Sequence, residues 1–180
     1  MKLIQRPIAE SYWVVPDHFL AGEYPGHFDG EHARQRLDAL IGAHFDTIVD
    51  LTRANETTPY LRILQEECNY YGVEVQHHRF AIGDFGLPTP EFMGSILNMI
   101  DNSLQAGRKI YLHCWGGIGR TGTTVGCYLV RHGMSGDDAL RQLADWWRGV
   151  PKSRIHSQSP ETSEQVEFIR AWNGMRVSAK

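Results

Sequence analysis

The sequence predicts an α/β fold: a three-layer sandwich with a mostly parallel central sheet flanked by helices. Three observations carry this. Short, largely apolar runs of strand length, Thr47–Leu51 and Ile110–Leu112, lack the polar alternation of half-exposed strands and suit strands covered on both faces. Between these runs, apolar residues recur at helical spacing. From Ile110 to Leu129 the chain reads strand, glycine loop, helix, and alternating elements of this kind build a parallel sheet with right-handed crossovers.

Tyr12–Val15 and Phe19–Ala21 are β-prone runs broken by Pro16-Asp17, a hairpin-like entry into the sheet. The second run, followed by a turn from Gly22 to Gly26, reads as a structural edge strand. Glu31–Ala43 puts Ala33, Leu37, Leu40 and Ile41 on one helical face, with Gly42 as a stop. Strand Thr47–Leu51 follows, then the polar loop Thr52–Glu56. Ligands of open α/β sheets sit outside the carboxyl ends of the strands, so this loop either borders a site or is a solvated connection. A helix from Pro59 to about Gly72 places Leu61, Leu64 and Cys68 on one face, which makes Cys68 a packing residue.

Val73–Ile82 reads as a strand, and its neighbouring His77 and His78 then face opposite ways and do not share a metal ion. The breaker-rich loop Gly83–Pro90 leads to a helix over Glu91–Asn102, with Phe92, Ile96, Leu97 and Ile100 as its apolar face. Beyond the glycine-loop helix, Ser135 caps a helix running to Trp147, with Leu140, Leu143, Ala144 and Trp147 spaced for burial. Trp146 and Trp147 read as core and rim. Arg148, Lys152 and Arg154 form a basic cluster, either a solvated charge run or a contact for an anionic substrate. The last helix starts after Pro160, with Val166, Phe168, Ile169 and Trp172 as packing residues.

The 180 residues fit one domain, 1–180, large enough to bury about 70% of its unfolded surface. A composition of 42% hydrophobic and 22% charged residues excludes a disordered chain, and a net charge of -3 gives no general drive toward nucleic acid or anionic membrane. Three irregularly spaced cysteines argue against a disulfide framework and for a reducing compartment. The first residues, MKLIQRPIAESYW, lack the apolar stretch of a signal peptide, and no run has the length of a membrane span. A cytoplasmic protein is expected, its oligomeric state left open.

The chemistry concentrates between Cys114 and Arg120. Gly116, Gly117 and Gly119 let successive N–H groups curl around one centre, a nest for an anion at the N-terminus of a helix. Trp115 and Ile118 contribute the remaining backbone. The field that binds an oxyanion also favours a thiolate: cysteines at helix N-termini beside cations fall to about 3.5–7.5 from an ordinary value near 8.5. Arg120 offers a planar fork for two phosphoryl oxygens, and Thr121 adds a hydroxyl beside the sulfur.

The run HCWGGIGRTG, His113–Gly122, resembles the H-C-x5-R-[ST]-G signature of the cysteine-dependent protein tyrosine and dual-specificity phosphatases. FLAGEYPG, Phe19–Gly26, is also similar to the opening strand of the small members. The resemblance implies the family's fold, Cys114 as nucleophile, Arg120 as phosphate clamp, Thr121 as helper in thiolate departure and His113 as the residue orienting the loop. It also implies hydrolysis of a phosphate monoester in two steps without metal or other cofactor. Asp84, 30 residues before Cys114 in a Gly- and Pro-bounded loop, is the expected general acid, with Asp50 and Glu56 as rivals. Glu161–Gln165 is similar to the Glu-x-x-x-Gln segment that brings a glutamine to the site, so Gln165 is the candidate for placing the hydrolytic water.

The expected substrates are phosphoproteins, phosphotyrosine-bearing or dual-specificity, or small phosphomonoesters. The absence of Lys between Cys114 and Arg120 argues against a phosphoinositide or inositol polyphosphate phosphatase, which stays the alternative. Among other readings, an arsenate reductase needs a resolving thiol, and Cys127 lies about 20 Å away along the following helix. A sulfurtransferase closes its loop one residue shorter. A phosphate-binding interaction module would be expected to lack Cys114 or Arg120.

Overall fold

Five strands form one sheet in the order β1-β2-β5-β3-β4, and only the first pair is antiparallel. The computed structural model describes residues 5–173; the opening MKLI, on which the signal-peptide expectation partly rests, lies outside them. The hairpin is β1 (Ser11–Val15) and β2 (Phe19–Gly22), turned at Pro16-Asp17 with Asp17 at a φ of 62°. The parallel strands are β3 (Thr47–Asp50), β4 (Gln76–Arg79) and β5 (Ile110–His113). β2 is not the edge strand its sequence suggested. It pairs with β1 on one side and β5 on the other, and all four of its residues are buried.

Side chains alternate across the sheet with the period of two that a pleated strand imposes. Phe19, Ala21, Val49, Ile110 and Leu112 face one core, while Leu20, Ile48 and Tyr111 face the other side. The second side is covered by α1 (Gly30–Gly42) and α2 (Leu61–Tyr71), through Leu37, Leu40, Ile41, Leu64 and Cys68. The first side carries α3 (Pro90–Gln105), α4 (Gly119–Arg131), α5 (Gly136–Arg148) and α6 (Ser163–Ala171). This is the three-layer sandwich expected. Among the described residues no helix is long and apolar enough to cross a membrane.

The helices start where their caps allow. Asp29, Thr89, Ser135 and Thr162 each accept a bond from a free N–H of the first turn. Two expectations shift in register. The strand after α2 is shorter than Val73–Ile82, because Gly72 turns α2 off in the left-handed conformation and leaves Val73 exposed. On α5 the inward alanine is Ala139, not Ala144, which faces solvent. Trp147 is buried and donates to His156 O at 2.7 Å, while Trp146 stacks on Tyr12, so this pair is core and rim.

Candidate active site

The central strand β5 delivers Cys114 at its carboxyl end, where the chain loops through Trp115–Ile118 into the first turn of α4. Cys114 is 2% exposed, at the floor of a cleft of about 370 Å³. Three of the loop's carbonyls are held by other segments. Trp115 O accepts from Tyr24 N at 3.0 Å, Gly116 O from Lys152 Nζ at 3.2 Å, and Ile118 O from Ser159 Oγ at 2.8 Å. A trans peptide sets its C=O and N–H on opposite sides, so the N–H groups of Gly116, Gly117 and Gly119 point away from those three donors. These three bonds fix the loop's backbone around the cleft where the sequence placed a candidate anion nest.

Gly117 closes the turn at a φ of +74°, and a Cβ there would lie 2.6 Å from Gly22 C and 2.7 Å from Glu23 N. Backbone atoms cannot give way as a side-chain tip can, so no other residue fits. Trp115 contributes its carbonyl to the loop while its ring stands 63% exposed on the rim. Ile118 is buried against the cleft wall.

His113 is wholly buried, its Nδ1 3.0 Å from Cys114 O and its Nε2 2.8 Å from Tyr60 OH. A carbonyl only accepts, so Nδ1 carries the proton and Nε2 accepts from the tyrosine. Burial outweighs the attraction of Asp50 and brings the His113 pKa down to about 4, keeping the ring neutral. Thr121 sits buried in the first turn of α4, and its hydroxyl is without a hydrogen-bond partner among the described residues.

Arg120 is 2% exposed at its side chain and is held from behind. Nη1 donates to Glu56 Oε2 at 2.8 Å and to Ile82 O at 3.0 Å; Nη2 donates to Glu56 Oε1 at 2.5 Å and to Asp84 Oδ1 at 3.0 Å. Burial alone would raise the Glu56 carboxyl, but the Arg120 fork and the Arg53 N–H hold it below the usual range. That makes Glu56 an ionised partner of Arg120. The other rival acid, Asp50, is fully buried and bound by Arg79, His77 and Thr52, and these bonds outweigh desolvation and keep it well below the ordinary carboxylate range. It does not line the cleft.

Asp84 does line the cleft, half exposed, in the turn closed by Gly86 N on Gly83 O. Gln165 lies buried behind both loops: its Oε1 accepts from Glu161 N and Thr162 N in a capping box, and its Nε2 donates to Gly86 O at 3.4 Å. A Cβ on Gly119 would meet that amide at 2.9 Å, so Gln165 packs against the start of α4. The basic cluster divides. Arg148 pairs with Asp145 at the surface, Arg154 is exposed, and only Lys152 turns into the cleft. His77 faces Asp50 while His78 faces Gln76, and no group of metal-ligating side chains forms among the described residues. Cys68 and Cys127 pack in separate cores, both pushed up by burial, and neither lines the cleft.

Glu23, Arg36 and Tyr60 escaped the sequence reading. Their contacts to Lys152, Tyr24 and His113 join segments 12 to 129 residues apart, and only Tyr60, on the amino side of α2, lay near an element boundary that could have drawn notice.

Residues 27–134 match the family model described as a polymorphic toxin system DSP-PTPase phosphatase (Tc-R-P). The chain is similar to a dual specificity protein phosphatase CDC14C of Homo sapiens, 28% identical over 124 residues, covering 67% of this chain and 26% of that protein. It is also similar to a tyrosine-protein phosphatase cdc-14 of Caenorhabditis elegans, 25% identical over 162 residues, covering 87% of this chain and 21% of that protein. The chain thus spans about a quarter of those relatives' length or less. A crystal structure described as Tk-PTP in the active form superposes with a TM-score of 0.66 at 26% identity, over 93% of this chain and 98% of the other. A kinase associated phosphatase with its catalytic cysteine replaced by serine shares the fold at a TM-score of 0.68 and 18% identity, over 89% of this chain and 90% of the other.

Proposed function

We propose, for a chain that belongs to the DSP-PTPase phosphatase family, the hydrolysis of phosphate monoesters through a phosphocysteine intermediate on Cys114. The observation that carries this reading is the position of Cys114 at the floor of a cleft that Arg120 and Asp84 also line, in a loop whose carbonyls are held by Tyr24, Lys152 and Ser159. In the first step the Cys114 thiolate attacks phosphorus in line, the S–P bond forms and the P–O ester bond breaks. Asp84 protonates the departing oxygen. In the second step water attacks phosphorus, gives its proton to the Asp84 carboxylate, and the S–P bond breaks. The unpartnered Thr121 hydroxyl is the donor that steadies the departing thiolate. The sequence of bonds balances without a metal ion.

Arg120 spends its four Nη hydrogens on Glu56, Ile82 and Asp84. A two-oxygen grip through Nε and Nη2 therefore requires Asp84 to leave Arg120, which frees the carboxyl for the leaving group. Glu56 stays behind and keeps the fork oriented. Gln165 can place the hydrolytic water once its amide releases Gly86.

Phosphotyrosine-bearing or dual-specificity phosphoproteins are the proposed substrates, acted on in the cytoplasm. The phosphatase activities for which the CDC14 relatives are named support this reading, as do the Trp115 and Phe85 rings exposed at the cleft mouth. The test is turnover of phosphotyrosine, phosphoserine and phosphothreonine peptides by the chain and by Cys114→Ser. Hydrolysis that resists chelators and is abolished in the variant, with vanadate binding retained, is expected; metal-dependent hydrolysis that survives the substitution refutes it.

A further inference from the structure

At the amino end of α4, three successive carbonyls accept a second hydrogen bond, each from a buried hydroxyl. Ile118 O takes the first main-chain bond of the helix from Gly122 N at 3.1 Å and a further one from Ser159 Oγ at 2.8 Å. Gly119 O and Arg120 O belong to the helical ladder as well, and they receive Thr123 Oγ1 at 2.8 Å and Thr124 Oγ1 at 3.0 Å. Ser159 is 6% exposed, Thr123 1% and Thr124 not at all. Ser159 comes from 41 residues away, just before α6, and a Cβ on Gly122 would collide with its hydroxyl, so the glycine there admits it. A threonine bonding back four residues is ordinary in a helix. Here three consecutive carbonyls are served, one of them from outside the helix.

The peptides that own these carbonyls carry the N–H groups of Gly119, Arg120 and Thr121. Those are the first three of the helix and have no intrahelical acceptor; Gly119 and Arg120 line the cleft above Cys114. We propose that Ser159, Thr123 and Thr124 are positioning residues that act through these peptides, fixing their planes and polarising their N–H groups toward a bound phosphoryl group. The proposal rests on the phosphatase reading and concerns the strength of its phosphate loop. A bond at the carbonyl oxygen draws electron density through the C–N resonance and leaves the hydrogen at the other end a stronger donor. The gain is about 10–30% per bond, which for a charged acceptor is about 1.3- to 4-fold in affinity per peptide. It grows with the acceptor's charge, so a dianion profits more than a monoanion. Because every substrate presents the same phosphoryl group, the effect is independent of the leaving group.

Tungstate, a tetrahedral dianion, is the probe; its calorimetric Kd, the Tm, the amide nitrogen resonances and kcat/KM for phenyl phosphate are measured on the same variants. Thr123→Val and Thr124→Val keep the side-chain shape, and both carbonyls keep their main-chain partners, so no buried group is orphaned and Tm should hold. Each variant should move the nitrogen resonance of the peptide it serves, Arg120 for Thr123→Val and Thr121 for Thr124→Val. The double variant should weaken tungstate binding about threefold or more, with kcat/KM falling in step. Perchlorate, a monoanion of the same shape, should lose less. Ser159→Ala should act likewise on Gly119, and because Ser159 lies outside the helix this variant decides the matter should the double variant not fold. Wild-type tungstate affinity in the folded variants overturns the proposal, as does a loss that follows Tm and leaves the three resonances in place; the hydroxyls are then packing groups. A wild-type chain that neither binds tungstate nor hydrolyses phenyl phosphate refutes the phosphatase reading itself, and the proposal with it.

Discussion

Replacing Asp84 by Asn should slow the chain in proportion to how poorly the leaving group departs. Asn keeps an oxygen that can accept from Arg120 Nη2, so the geometry around the fork is preserved while the transferable proton is lost. General acids contribute about 10²–10⁴ in rate. Asp84 is 50% exposed, and water at that mouth can replace part of its work, which puts the expected loss for a tyrosyl or alkyl phosphate in the lower half of the range, about 10²–10³. For a nitrophenyl phosphate, whose phenolate leaves as a stable anion, the loss should stay under about tenfold. The assay is kcat/KM across a series of aryl phosphates of rising phenol pKa, plotted for the wild-type chain and for Asp84→Asn. The wild-type line should be nearly flat and the variant's steep. Parallel lines would refute the assignment, whether both fall or neither does, and would turn attention to Glu161, another carboxylate lining the cleft.

Glu56→Gln removes the charge behind Arg120 while retaining one hydrogen bond. Losing a bond to a charged group costs about 1–3 kcal/mol, a fall of roughly 2–12 °C in Tm for a chain of this size, with kcat/KM dropping in step on every ester. Unchanged melting and turnover would contradict the bidentate pair. His113 should stay neutral down to about pH 4, whereas an unfolded histidine takes up its proton near 6.5. The unfolded chain binds that proton first, so this contribution is complete above about pH 6.5 and declines as pH falls toward 4. Urea melts at stepped pH read the slope, and an imidazole resonance titrating near 6.5 would contradict it. Gly117→Ala should abolish vanadate binding along with turnover, since left-handed backbone costs a side chain about 1–2 kcal/mol and the Cβ meets Gly22 and Glu23 besides. Wild-type vanadate affinity in that variant would show that the loop does not need this turn.

What the sequence disclosed depended on how far apart the interacting residues were. The candidate anion loop is local: strand, glycines, arginine and helix follow one another within 20 residues, so spacing and residue type sufficed to propose it. The alternation of strands and helices was accessible through strand length and helical period, yet the place of β2 was misjudged. Its alternation is masked because both of its faces are buried, and a short apolar run does not reveal how many neighbours it has. Glu56, Arg36 and Lys152 were harder. Each is an ordinary charged residue in its own segment and acquires a role from a partner brought up by the fold, Arg120 from 64 residues away or Glu23 from 13 and 129. The basic cluster around Lys152 illustrates the limit: three cations within seven residues look alike in sequence, and the helical turn at Pro151 sends only one inward.

A covalent bond between Cys114 and phosphorus is the step on which the proposed reaction turns, and Asp84→Asn offers the means to catch it. With nitrophenyl phosphate the first step needs little acid, whereas the second loses its base, so the intermediate should accumulate. Rapid mixing should give a burst of nitrophenolate approaching one equivalent per chain. Snap denaturation followed by peptide mass spectrometry should then find the phosphoryl group on the peptide containing Cys114, absent from Cys114→Ser. A steady release without a burst and with no phosphorylated peptide, or a phosphoryl group on another residue while turnover persists, would contradict the claim.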